Sequence, residues 1–211
     1  MTKNVNYIAV LADAIGSRAL PPRDRARLQA QLHTRLRTDL NQRRAWRPGI
    51  AAGFAIARGD EIEGLLKDAS LVWDIAHWLR RTFADIDWII ACARGPISTA
   101  LAAIAPEVDG PCFHAARAAL EEAKRQRQVF TFRGFPPAVD ALAAYYSALY
   151  WSWTPRQRRQ ASTLRLRDTA LDRGRDLKVH PTAVSHMKRR MAWPLVAAGD
   201  MMFRAAILEA R

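Results

Sequence analysis

Asp13 and Asp60 are the side chains whose type and setting suit chemistry. Asp13 ends the apolar run that starts at Tyr7, and Asp60 lies in the tight turn Arg58-Gly59-Asp60-Glu61. Carboxylates are hard oxygen donors, and one or two of them plus substrate phosphates are the usual protein complement of Mg²⁺. Metals held this way clamp the attacking and leaving oxygens of phosphoryl transfer. Gly16 and Gly59 would let backbone approach a phosphate closely. Ser17 and Arg18 follow at once, and an arginine fork suits phosphate. The plainer reading of the same residues is that Asp13 caps a turn and Asp60 is an ordinary turn residue. Ser17 and Arg18 then simply end a turn, and Glu61 and Glu63 flank the hairpin in solvent or support its ligands.

These residues need elements to hold them. Tyr7–Asp13 reads as a strand buried on both faces. Asp24–Asn41 is an amphipathic helix with Leu28, Leu32, Leu36 and Leu40 on one stripe. Ile50–Arg58 and Glu61–Leu66 form a hairpin about Gly59. A helix over Asp68–Phe83 and a strand over Trp88–Ala93 follow. Gly110-Pro111 opens a helix to about Arg125, Val129–Arg133 is a last strand, and Pro137–Tyr150 a last helix. The order βαββαβ predicts an α+β fold, a ferredoxin-like sandwich with an antiparallel sheet and helices on one face. His77, beside Trp73 and Trp78, reads as a packed core histidine.

Charge divides the chain. The 211 residues carry a net +13, of which residues 153–211 contribute 13 basic against 5 acidic groups. Positive charge is about four times denser there than before, and a surplus of this kind suits a polyanion such as DNA. Thr154 and Pro155 give a helix start at the same point, so the predicted domains are 1–152 and 153–211. Two cysteines, Cys92 and Cys112, make neither a disulfide framework nor a zinc set. The N-terminal apolar run is too short for a signal-peptide core, and no stretch reaches the roughly 18 apolar residues of a membrane span. A soluble cytoplasmic protein with reduced thiols is expected.

Within the basic tail, Thr169–Leu177 and Pro181–Ala192 are helical patterns separated by Lys178-Val179-His180. Gly174 is the small residue that crossing helices need, and His180 with Pro181 starts the second helix. At about 100° per residue, Thr182, His186, Arg189 and Arg190 share one side of that helix, while Val184, Met187 and Met191 fall opposite. A helix-turn-helix would send such a helix into the major groove of double-stranded DNA. Thr182, Ser185 and His186 would meet base edges, and Lys188, Arg189 and Arg190 phosphates. The plainer reading is a basic helical cap that never touches DNA. Leu195–Leu208 reads as a closing helix compatible with a homodimer.

Several motifs resemble known families. Leu11-Ala12-Asp13-Ala14-Ile15-Gly16 is similar to the first metal-binding motif of class III nucleotide cyclases, and Arg58-Gly59-Asp60-Glu61-Ile62 to their Gly-Asp hairpin and to the diguanylate cyclase signature. Asp109-Gly110-Pro111 through Ala116-Arg117 resembles the cyclase helix that carries the transition-state arginine, which falls on Arg117. More closely, the set Asp13…Ser17-Arg18, Gly59-Asp60-Glu61…Gly64-Leu65-Leu66 and Asp109-Gly110-Pro111…Ala116-Arg117 resembles the SatD family. That resemblance implies a cyclase-like domain followed by a helix-turn-helix, hence a transcriptional regulator. It also implies Mg²⁺ at Asp13 and Asp60, and a nucleotide ligand at Gly16, Ser17, Arg18, Gly59 and Arg117. The departures are specific. Ile56 stands where cyclases carry a base-reading lysine, Phe113 where they carry an asparagine, and Arg58 replaces the first glycine of the diguanylate motif. The alternative is a metal-dependent nucleotidyl cyclase or transferase acting on a nucleoside triphosphate.

Overall fold

A computed structural model describes residues 6–166 and 178–209 of the chain. Its elements run β1 (Tyr7–Ile15), α1 (Pro22–Arg35), β2 (Ile50–Arg58), β3 (Glu61–Leu66), α2 (Leu71–Thr82), β4 (Asp87–Gly95), α3 (Pro111–Gln126), β5 (Phe130–Arg133), α4 (Pro137–Ser152) and α5 (Pro155–Leu166). After the undescribed segment come α6 (Pro181–Arg190) and α7 (Trp193–Glu209). Every predicted strand and helix within the described residues exists, with boundaries moved by a few residues. The helix of the four leucines turns into a π-helical segment over Leu36–Leu40, and all four leucines are buried as expected. Pro194 does not merely stop α6 but sits in the first turn of α7, where a missing N–H costs nothing.

The five strands form one sheet in the order β2-β3-β1-β4-β5. β1 lies antiparallel between β3 and β4, and β2 is antiparallel to β3. Two expectations fail here. β5 runs parallel to β4, so the sheet is mixed, and helices cover both faces rather than one. The cause is legible in β1 and β4, whose apolar residues alternate outward on both sides. Ile8, Val10, Ile90 and Cys92 pack with α1, α2 and the C-terminal helices, whereas Ala9, Leu11, Ala91 and Ala93 pack with α3. A parallel β4–β5 pair requires a crossover, and α3 is that crossover.

The larger core is aromatic. Trp73 stacks on Phe203 of α7 with ring centroids 4.1 Å apart, and touches Phe130 and Tyr146 at 5.1 and 5.7 Å. His77 meets Trp73 edge-on at 4.4 Å, and burial holds its imidazole well below the ordinary pKa. It is the packed histidine predicted. Arg80 is buried without a carboxylate partner among the described residues; Nη2 donates to the carbonyls of Trp88 (2.6 Å) and Val129 (2.9 Å), and its guanidinium lies over Phe130 and Tyr150. Both cysteines are buried free thiols, which burial keeps protonated. Among the described residues, no single helix is long and apolar enough to cross a membrane.

Candidate functional site

The site forms where β1, the β2–β3 turn and α3 meet. β1 extends two residues past Asp13, which pairs with Ile89 of β4 rather than closing the strand. On its other side the register sets Ala12 against Ile62, and that pairing carries the hairpin tip to the level of Asp13. Gly59 takes φ +61° and Gly16 φ +75°, left-handed conformations that favour glycine, and a side chain at either would meet open space. The two aspartates are close enough to feel each other. Asp13 has its carboxyl raised above the usual range, first by burial and then, against the pull of Lys124, by the charges of Asp60 and Glu61. Oδ2 of Asp60 is buried and accepts no hydrogen bond from the described residues.

α3 supplies cations to this edge. It starts where Gly110 passes so close to Ile97 and Ser98 that a Cβ would lie 2.5 Å from the Ile97 Cα, and Ser98 N donates to the Asp109 carbonyl at 2.8 Å. The Asp-Gly-Pro motif therefore anchors the helix against the turn after β4. Arg117 then reaches β3, donating Nη1 to Glu61 Oε1 at 2.8 Å and Nη2 to Glu63 Oε1. Two turns later Lys124 lies 3.4 Å from Asp13 Oδ2 and 2.9 Å from Glu121 Oε1. Of the two expectations for Glu61 and Glu63, in solvent or supporting the ligands, the first fails, since both are buried against Arg117. Burial raises the Glu63 carboxyl more than Arg117 lowers it.

The predicted nucleotide-binding residues divide. Arg117 joins the acidic edge, but through Glu61 and Glu63. Ser17 is buried and Arg18 exposed in a single 3₁₀ turn (Ser17–Ala19), with Ala19 N donating to the Gly16 carbonyl at 3.0 Å. The Gly59 carbonyl accepts from Gln29 Nε2 at 3.2 Å, which ties the turn to α1. Lys124 and the paired glutamates escaped the sequence reading. Their signal was present: two acids alternating with Ile62 on a buried strand need a partner, and Arg117 and Lys124 stand two helical turns apart on one face.

No group of three or more His, Cys, Asp or Glu side chains gathers as a metal cage among the described residues. The donor set present is two carboxylates with one unpartnered oxygen. That fits Mg²⁺ held jointly with phosphate and water, not a dedicated protein site.

The second predicted surface lies on α6. His180 caps it, accepting from Thr182 N through Nδ1 at 3.3 Å, as the sequence implied. Thr182, Ser185, His186, Arg189 and Arg190 are exposed, while Val184 and the following Met191 are buried. Lys188 is half-buried, with its ammonium 5.9 Å from the centre of the Trp193 ring. The preceding helical pattern, Thr169–Leu177 with Gly174, lies outside the described residues.

None of the curated proteins matches this chain. Among solved structures, that of a bacterial light-regulated adenylyl cyclase is weakly similar, with a TM-score of 0.42 at 12% identity over 61% of this chain and 75% of the other. A family model for SatD matches residues 7–130, the span that holds β1 to β4, α3 and both aspartates. The chain belongs to the SatD family.

Proposed function

We propose that the edge formed by Asp13 and Asp60 binds a nucleotide through Mg²⁺ without turning it over, on a ferredoxin-like sheet of the cyclase type. The observation that carries this reading is the buried Asp60 Oδ2, which has no partner beside a second carboxylate. Such an oxygen is costly unless a proton, water or cation meets it. Asp13 and Asp60 would hold the metal, which supplies positive charge to phosphate oxygens. Gly16 and Gly59 leave open backbone for those oxygens, and Arg18 is exposed nearby in sequence. Binding is favoured over turnover because Ile56 and Phe113 replace the base-reading and transition-state groups, and Arg117 is engaged by Glu61 and Glu63. The alternative, a nucleotidyl cyclase or transferase, would require Arg117 to leave both glutamates. The test is thermal melting with ATP or GTP and Mg²⁺ or Mn²⁺, with products assayed in the same samples. A metal-dependent rise in Tm without product, lost in Asp60→Asn, is expected. A product lost in that variant would make the protein an enzyme, and no shift would remove the ligand reading.

The exposed cationic face of α6 favours a second role, as the reading helix of a helix-turn-helix on double-stranded DNA. In that role the protein is a cytoplasmic transcriptional regulator, with Thr182, Ser185 and His186 toward bases and Lys188, Arg189 and Arg190 toward phosphates. Exposed Leu195, Met201 and Met202 on α7 are compatible with its pairing as a homodimer. Arg189→Ala is expected to weaken binding to duplex DNA and reduce the slope of log affinity against log salt by about 1. An unchanged slope would exclude a phosphate contact by Arg189.

A further inference from the structure

On the sheet face away from α3, the C-terminal helices leave a cavity of about 520 Å³ between α2, α5, α7 and the segment after α1. That size lies within the range of small-ligand sites. Four tryptophans, Trp46, Trp73, Trp78 and Trp193, contribute to its walls. Trp46 and Trp78 meet edge to face at 6.4 Å, and both are buried. They are rigid surfaces against which a planar ring can lie.

The charges around the cavity do not balance. Four guanidiniums line it, those of Arg43, Arg81, Arg165 and Arg204, against the carboxylates of Asp74 and Asp200. Arg165 takes Asp200, with Nε 2.7 Å from Oδ2, and Arg204 takes Asp74. Arg43 and Arg81 keep no carboxylate among the described residues. Arg43 instead stacks on Trp46, 4.3 Å from the ring centre. Both arginines line the same cavity, and the charge of Arg43 adds to burial in lowering the pKa of Arg81. Arg165 is nine-tenths buried, and its Nη1 is inaccessible and makes no hydrogen bond to the described residues. Like charges held together and an unmet guanidinium donor cost free energy unless an anion answers them. His77 lines the cavity too, but its desolvated ring is neutral and adds no charge.

We infer that this cavity is a binding site for a small aromatic dianion, a planar ring carrying a phosphate monoester, with the ring against the tryptophans and the phosphate between Arg43 and Arg81. Two positive charges without a carboxylate among the described residues match the dianion, and guanidinium forks donate to phosphate oxygens in pairs. The site is separate from the Asp13–Asp60 edge and needs no metal.

Tryptophan walls make binding visible as fluorescence quenching. The full chain is titrated in EDTA with 4-nitrophenyl phosphate, with inorganic phosphate and with uncharged 4-nitrobenzyl alcohol, correcting for absorbance. Saturable quenching by the phosphate ester is expected below about 1 mM, with the other two probes at least tenfold weaker. Arg43→Gln and Arg81→Gln change half-exposed or exposed side chains and leave the core intact; each is expected to weaken the ester about tenfold. The inference is overturned if the alcohol binds as tightly as the ester, since charge is then not read. It is equally overturned if inorganic phosphate matches the ester, if both variants bind as the parent does, or if no probe saturates.

Discussion

Arg117→Ala leaves two buried carboxylates, Glu61 and Glu63, on one face of β3 with no counter-charge. At the observed 2.8 Å contact and an effective dielectric of about 20, one such pair is worth about 6 kcal/mol before solvent screening. Arg117 is 46% exposed, so screening takes more than half of that, and about 2–3 kcal/mol is the loss to expect. For a chain of this size that is a fall in Tm of about 4–12 °C. The loss carries a pH signature. Glu63 already has its carboxyl raised above the ordinary 4.5 by burial, and removing the guanidinium raises it further. A carboxyl raised in the folded state contributes stability that is full below its unfolded value and lost as pH rises through the folded one. The Tm gap between parent and variant should therefore be small near pH 5 and widest near pH 8. Melting curves at both pH values measure it, and Arg117→Ala/Glu61→Gln/Glu63→Gln should recover most of the gap, because no unpaired charge then remains buried. An equal gap at both pH values, or a triple variant no more stable than Arg117→Ala, would refute the clamp.

Two further outcomes follow from the same contacts. Lys124→Met removes the ammonium 3.4 Å from Asp13 and should tighten Mn²⁺ binding about five- to tenfold, measured by calorimetry; an unchanged affinity would mean that Lys124 does not compete for the aspartate. Phe203→Ala deletes the ring stacked on Trp73 and should cost about 3–5 kcal/mol, with red-shifted tryptophan emission as α7 loosens from the sheet. A loss under about 1 kcal/mol would mean that the C-terminal helices do not depend on that stack.

What the sequence disclosed depended on residue size and on range. Leu28, Leu32, Leu36 and Leu40 announced their helix because large apolar groups at steps of four form a stripe that only burial explains. The Gly59 turn was legible because two alternating runs met at a residue suited to positive φ. That a helix covers the second face of the sheet was not legible, although the two-sided burial of β1 was. There α3 lays Cys112, Ala116, Ala119 and Ala123 against Ala9, Ala91 and Ala93, and small residues that pack closely leave only a weak hydrophobic period. Without that face the crossover to β5 looked like one more antiparallel step. At the site, the aspartates stood out by their turn and strand-end settings, but the reach of Lys124 to Asp13 spans 111 positions and has no local pattern.

α3 explains why the acidic edge is stable and still open to a cation. The strands and turn bring Asp13, Asp60, Glu61 and Glu63 together, and α3 meets them with only Arg117 and Lys124. Two negative charges remain, the charge that one divalent cation would neutralise. They concentrate at the aspartates, since Arg117 is spent on the glutamates and Lys124 is shared with Glu121. Across the sheet the imbalance is reversed, with Arg43 and Arg81 unanswered by any carboxylate of the described residues. Opposite uncompensated charges on opposite faces cannot neutralise each other through a dry core of alanine, tryptophan and phenylalanine. Among the described residues neither face holds the other's counter-charge, so the proposed cation and anion sites would be separable by chelation of the metal alone.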